Sequence, residues 1–129
     1  INWAPYYNYI IGQYVKGEKI APDWCGGIAE GSVVLTGINQ DVAAEGTMAT
    51  IQADVEKIKS GEIKVFDTAN FTVNGEKITS YMADVDTDAN FEKDTEVIEN
   101  GVFYESKHRS APYFDIEIDG ITLLDRNYG

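Results

Sequence analysis

Ser32-Val33-Val34-Leu35-Thr36-Gly37-Ile38-Asn39-Gln40-Asp41 is the stretch on which the reading of this chain turns. Its first five residues are short, apolar and rich in β-branched side chains, the pattern of a buried strand. Gly37 to Gln40 supplies a loop, and Asp41 can cap a helix whose first turn carries Glu45, where the macrodipole favours an anion. Met48, Ile51, Val55 and Ile58 then fall on one face of that helix. Lys57 and Lys59 lie near its C-terminus, and Gly61 is the expected stop.

On the downstream side, Ile63 to Phe66 reads as another short strand. Upstream, Ile20 to Gly31 is a loop rich in Pro, Asp and Gly. Before it, Pro5 suits the first turn of a helix because its ring presets φ and it has no N–H to lose. Tyr7, Ile10, Ile11 and Tyr14 form an apolar face, and Gly17 stops the helix. Helix, strand, helix and strand with short connections predict an α/β fold, a parallel sheet flanked by helices. The second half changes character. Asn74-Gly75 between Phe71-Thr72-Val73 and Lys77-Ile78-Thr79 predicts a hairpin. Asp84 to Asn100 is acidic, with a short helix expected from about Phe91 to Ile98, and Tyr113 to Leu124 alternates around Asp119-Gly120 as in a second hairpin.

Composition narrows the functions. With 22 acidic against 10 basic residues and a net charge of −12, the chain would repel phosphates and anionic lipid headgroups. No run approaches the roughly 18 to 20 apolar residues of a membrane span. A single cysteine, Cys25, excludes an intrachain disulfide and a cysteine-rich metal site. The chain opens with Ile1 rather than Met, so a processed chain or an excised fragment is expected.

Ligands of open parallel α/β sheets bind in the loops that leave the carboxyl ends of the strands. Two loops qualify. Asn39 lies in the one after Ser32–Thr36, and Asn2-Trp3 directly precedes the Pro5 helix. Trp3 offers a flat apolar face for an aromatic ligand, and the Asn2 amide can donate and accept. Alternatively, Trp3 packs on the helix as a staple and Asn2 only caps it; local sequence leaves both readings open. Asp84-Val85-Asp86-Thr87-Asp88 has the alternating carboxylates of a calcium loop, but Ala89 and Thr95 stand where that loop needs Gly and Glu, which favours a solvated acidic loop. No cofactor is expected. Catalysis has little to build on: His108 is the only histidine, no nucleophile elbow or zinc-protease motif is present, and Cys25 has no local histidine. Asn70-Phe71-Thr72 matches a glycosylation sequon, a motif too short to carry weight alone.

Four segments resemble a known family. Asn2-Trp3-Ala4-Pro5-Tyr6-Tyr7 is similar to the N-W-[GA]-P-Y-Y segment of solute-binding lipoproteins of the basic membrane protein (BMP) family, which serve ABC transporters. Asp23-Trp24-Cys25-Gly26-Gly27-Ile28-Ala29-Glu30-Gly31-Ser32-Val33 resembles its W-x-G-G-hydrophobic-x-x-G-x-V stretch. Ile58 to Phe66 resembles I-x-x-G-x-x-x-V-F, and Glu105 to Asp115 resembles the ending of one subgroup. The resemblance runs in family order over nearly the whole chain. It implies the C-terminal part of a type I periplasmic-binding-protein fold: 1–62 from the second lobe, then 63–129 as a returning segment and C-terminal extension. It implies a non-catalytic, extracytoplasmic protein tethered as a lipoprotein, closing two lobes on a small solute, with purine nucleosides favoured, and delivering it to an ABC permease. Asn2, Trp3 and Tyr6 would then face the cleft, with Asn39 as a further polar partner. Two features depart from the pattern. Asp67-Thr68-Ala69 replaces the usual G-P-[IL], and the lysine and aspartate of many nucleoside binders are missing from Ile1–Ala4.

A ligand-sensing receptor domain of the same fold is the first alternative, and a small stand-alone hydrolase the second. The sheet expected here would expose edge strands, so self-association of the chain is a further expectation.

Overall fold

The first helix, α1 (Ala4–Lys16), is bounded as its sequence requires in the computed structural model, which describes residues 1–124. Pro5 sits in the opening turn, where a missing N–H costs nothing. At the other end Gly17 adopts φ 71°, so that its N–H reaches Tyr14 C=O while Glu18 N–H reaches Gln13 C=O. The second helix, α2 (Thr47–Ser60), ends the same way, with Gly61 at φ 76°. Both helices belong to the first of two compact units, Ile1–Val65; the second begins at Phe66.

No residue of either helix is fully buried. On α2 the half-buried face is Met48, Ile51, Val55 and Ile58, the stripe expected from the sequence. On α1 it is Tyr6, Ile10 and Gln13, whereas Tyr7, Ile11 and Tyr14 of the expected apolar face stand 54%, 57% and 77% exposed. Gln13 is sheltered because its amide clamps the following loop, donating to Lys19 C=O and accepting from Ala21 N–H, both at 3.2 Å. Asp41 does not cap α2. Asn39 draws residues 39 to 43 into a turn, its Oδ1 accepting from Asp41 N–H at 3.0 Å and its C=O from Ala43 N–H at 3.2 Å. Gly46, at φ 83°, then separates that turn from the helix.

No parallel sheet is seen among the described residues. Val33 N–H bonds back to Gly27 C=O, but Val34 to Ile38 make no backbone hydrogen bond among the described residues. Val34 and Leu35 are 50% and 61% exposed. A strand apolar on both faces needs a neighbour on each edge and a covering layer on each side. The first unit contains no strand among the described residues, so this run has no ladder within it to join. Near residue 63 the chain turns instead of extending; only Phe66 C=O joins a ladder, accepting from Phe103 N–H at 2.9 Å.

The second unit is built from hairpins. Strands β1 (Met82–Ala83) and β2 (Thr95–Glu96) pair antiparallel, as do β3 (Ile98–Glu99) and β4 (Val102–Phe103). The helix expected over Phe91–Ile98 is therefore absent. Thr95 and the β-branched Val97 and Ile98 are extended, and Val97 and Ile98 are buried among Ala83, Phe103 and Tyr113. Phe114 stacks on Phe66 at 4.4 Å and meets Phe103 edge-on at 4.6 Å. The Asn74-Gly75 turn forms, with both residues left-handed, but its arms pair only at Val73 and Glu76. Asp119-Gly120 also turns, without a ladder on either side among the described residues; Asp119 bonds instead to Thr72 and Gly75. Within the second unit, Glu96 secures two further N–H groups, Tyr81 and Ile98, each at 2.8 Å.

The unpaired run from Val34 to Ile38 leads to a test. The chain alone is expected to self-associate through this edge, more strongly as salt screens its negative charge. Light scattering should show a dimer that Leu35→Lys returns to monomer. A monomer at every concentration and salt level would remove the idea.

Candidate functional site

The N-terminal end of α1 gathers five of the six aromatic residues of the first unit. Tyr6 lies at the centre, its ring edge-on to Trp3 (6.3 Å), tilted against Tyr7 (5.8 Å) and tilted against Trp24 (5.6 Å). Tyr9 stacks on the same Trp24 at 6.3 Å. Trp24 can fold back this far because residue 26 is glycine. A Cβ there would overlap the Trp24 ring and come within 2.8 Å of Ser32 Oγ. The loop beyond is tied by Gly27, whose C=O accepts from Ser32 and Val33 and whose N–H donates to Glu30. Trp3 remains 59% exposed, so one face of the cluster is open to a planar ligand.

Asn2 fixes this end to the Gly31–Ser32 backbone. Its N–H donates to Ser32 C=O at 2.7 Å, its Nδ2 to Gly31 C=O at 3.0 Å, and its Oδ1 accepts from Ala4 N–H at 3.2 Å. The amide therefore has a structural role and keeps one hydrogen and one acceptor site for anything else. The structure brings Asn2, Trp3 and Tyr6 together. Asn39 opens the turn at 39–43 instead. No hydrogen bond or ring contact joins Asn39 to the other three among the described residues. Trp24 and Tyr9 were not foreseen as members of the cluster, although Asp23-Trp24-Cys25-Gly26-Gly27 pointed to Trp24.

An apolar groove of about 930 Å³ runs along the unpaired segment, between Val33–Ile38 and the Met48, Ile51 and Val55 face of α2. Gln52, Glu56 and Lys59 supply its polar edge. A small apolar ligand would cover those side chains but leave the backbone groups of Val34–Ile38 unmet. An added strand would satisfy both.

The second unit holds a different polar constellation. Lys93 Nζ lies 2.6 Å from Asp115 Oδ2 and 3.0 Å from Tyr81 OH, and the tyrosine donates to the same carboxylate. The bond to Asp115 raises the Lys93 pKa, and the bond from Lys93 lowers that of Asp115. Burial, then the carboxylate, raises Tyr81. Each shift entrenches the ordinary charge state, so at neutral pH the trio has no group poised to take or give a proton. It is a pin between chain segments. The alternating acidic run has a local purpose too: Asp86, Asp88 and Asn90 each accept from the backbone N–H two residues on. No group of three or more His, Cys, Asp or Glu is arranged to hold a metal among the described residues.

Two outcomes check these assignments. Gly26→Ala should drive Trp24 off Tyr6 and Tyr9, shifting tryptophan emission to the red, whereas Gly12→Ala, where a Cβ meets open space, should not. Asp115→Asn should cost no more than about 1 kcal/mol at neutral pH, because the pair is half exposed. The depressed Asp115 contributes stability above its unfolded pKa, about 3.9, and loses it as pH falls through the lower folded value. The gap between variant and wild type in urea unfolding should therefore close in strong acid. Lys93, raised, loses its contribution only as pH climbs through its folded value. No protein-family model, curated protein or solved structure matches the chain.

Proposed function

We propose that this chain is part of an extracytoplasmic solute-binding protein of the basic membrane protein type, serving an ABC importer. The carrying observation is the platform at the head of α1. Trp3 presents an open ring above Tyr6, and the Asn2 backbone and side chain lock that end in place. A planar solute, purine nucleosides foremost, stacks on Trp3, and the spare hydrogen and acceptor site of Asn2 fix its orientation. Capture is non-catalytic, by closure of a second lobe over the ligand. Asn39 enters the site only if closure brings its loop to the same cleft. Two features support the family reading: the glycine of Asp23-Trp24-Cys25-Gly26-Gly27 has a steric reason in Trp24, and the unpaired Val34–Ile38 run suits a lobe whose other strands come from elsewhere in a longer polypeptide. A lipid tether and an ABC permease complete the proposal.

A thermal-shift screen against nucleosides, nucleobases, amino acids and sugars tests it. Free ligand at about a hundred times its dissociation constant adds roughly 2.7 kcal/mol of stability. A nucleoside shift lost in Trp3→Ala is the expected result. A shift with another class would keep solute capture and overturn the purine preference, and no shift with any class would count against capture altogether.

A further inference from the structure

Two Asn-Gly turns in the second unit form a natural matched pair. Asn74 and Asn100 are both exposed, at φ 52° and 51°, and the glycines that follow stand at φ 82° and 75°. Both turns close antiparallel pairs, Val73 with Glu76 and Glu99 with Val102. An asparagine followed by glycine is open to attack by the glycine nitrogen on its own side chain, because no Cβ hinders the approach. The nitrogen loses its proton to base and forms a bond to Cγ. The Cγ–Nδ2 bond then breaks and ammonia leaves. Water opens the resulting five-membered imide to aspartate or isoaspartate, with no change of oxidation state.

One contact separates the two sites. Gly75 N–H donates to Asp119 Oδ2 at 2.8 Å. The carboxylate is itself held, accepting from Thr72 Oγ1 at 2.6 Å while Asp119 N–H donates to Thr72 C=O at 2.9 Å. Gly101 N–H makes no hydrogen bond among the described residues. A fixed negative charge against Gly75 nitrogen opposes the loss of its proton and holds it away from Cγ. We propose that Asn100 is a site of spontaneous deamidation in the folded chain and that Asp119 shields Asn74 from the same reaction.

The unshielded site, Asn100, is also the more consequential one. Gly101 C=O accepts from Thr68 N–H at 2.8 Å and from Thr68 Oγ1 at 3.1 Å, and the turn delivers Val102 and Phe103 into the core. Isoaspartate would insert a methylene into the backbone at that corner and add a negative charge.

Incubation of the chain at mildly alkaline pH, followed by peptide mass mapping for aspartate and isoaspartate, reads both sites at once. In urea the two asparagines should convert at similar rates. In the folded chain Asn100 should convert several-fold faster than Asn74, and Asp119→Ala should raise Asn74 without changing Asn100. If that variant unfolds, both sites rise together, and amide exchange on the wild type decides instead: Gly75 N–H protected and Gly101 N–H not. Equal rates in the folded wild type, slower conversion of Asn74 in Asp119→Ala, or equal exchange at the two glycines would overturn the proposal.

Discussion

A peptide N–H or C=O that leaves water must find a partner in the protein, and the two units meet that demand in different ways. Among its described residues the second unit has four strands of two residues each, far too little ladder to satisfy its backbone by sheet alone. Carboxylates make up much of the difference. Glu96 takes two N–H groups between the hairpins, Asp67 caps a short 3-10 turn through Ala69 N–H, Asp119 closes the Asn74-Gly75 turn, and Asp86 and Asp88 each hold the chain two residues on. The strong negative charge of the chain is thus partly structural. Hydrogen bonds from the Ser80 and Thr72 hydroxyls first, and then from these backbone N–H groups, lower the pKa values of Glu96 and Asp119. In the first unit the helices satisfy themselves, the loop after Trp24 satisfies itself, and Val34 to Ile38 is left over.

How much of this could be read in the sequence follows from how local each cause is. Both ends of α1 and the C-terminal end of α2 were legible, because a proline in the first turn of α1 and a left-handed glycine after each helix act on their own few residues. So was the Asn74-Gly75 turn. Asn100-Gly101 carries the same signal, at the end of the acidic stretch in which a short helix was expected. The helix expected from Phe91 failed because helical spacing cannot weigh the attraction of Val97 and Ile98 to a core formed with Phe103 and Tyr113, residues distant in sequence. Asp41 is a good cap in isolation, yet Asn39 two residues earlier draws its N–H into a turn. The run of Val33 to Leu35 spoke of burial but not of what would bury it; pairing is a property of two segments, and one sequence window contains only one.

The candidate site divides the same way. Trp3 and Tyr6 are a helical turn apart, so their association was readable. Trp24 joins them only because Gly26 leaves space for its ring, a steric permission visible as a glycine but not as a contact. Asn2 and Asn39 looked alike in sequence, two amides in loops that precede helices. The structure uses both for turns of their own backbone, and only Asn2 lies beside the aromatic cluster.

The open run from Val34 to Ile38 also bears on the life of the chain in a cell. Proteases accept their substrates in extended form, threaded through a cleft that supplies strand-like hydrogen bonds, and cleavage concentrates where the backbone is free to be bound. A segment that is accessible and makes no backbone hydrogen bond among the described residues meets those conditions without local unfolding. Capture by a proper neighbouring strand would hide it. The same stretch would therefore be more open to cleavage alone than when paired with a neighbouring strand.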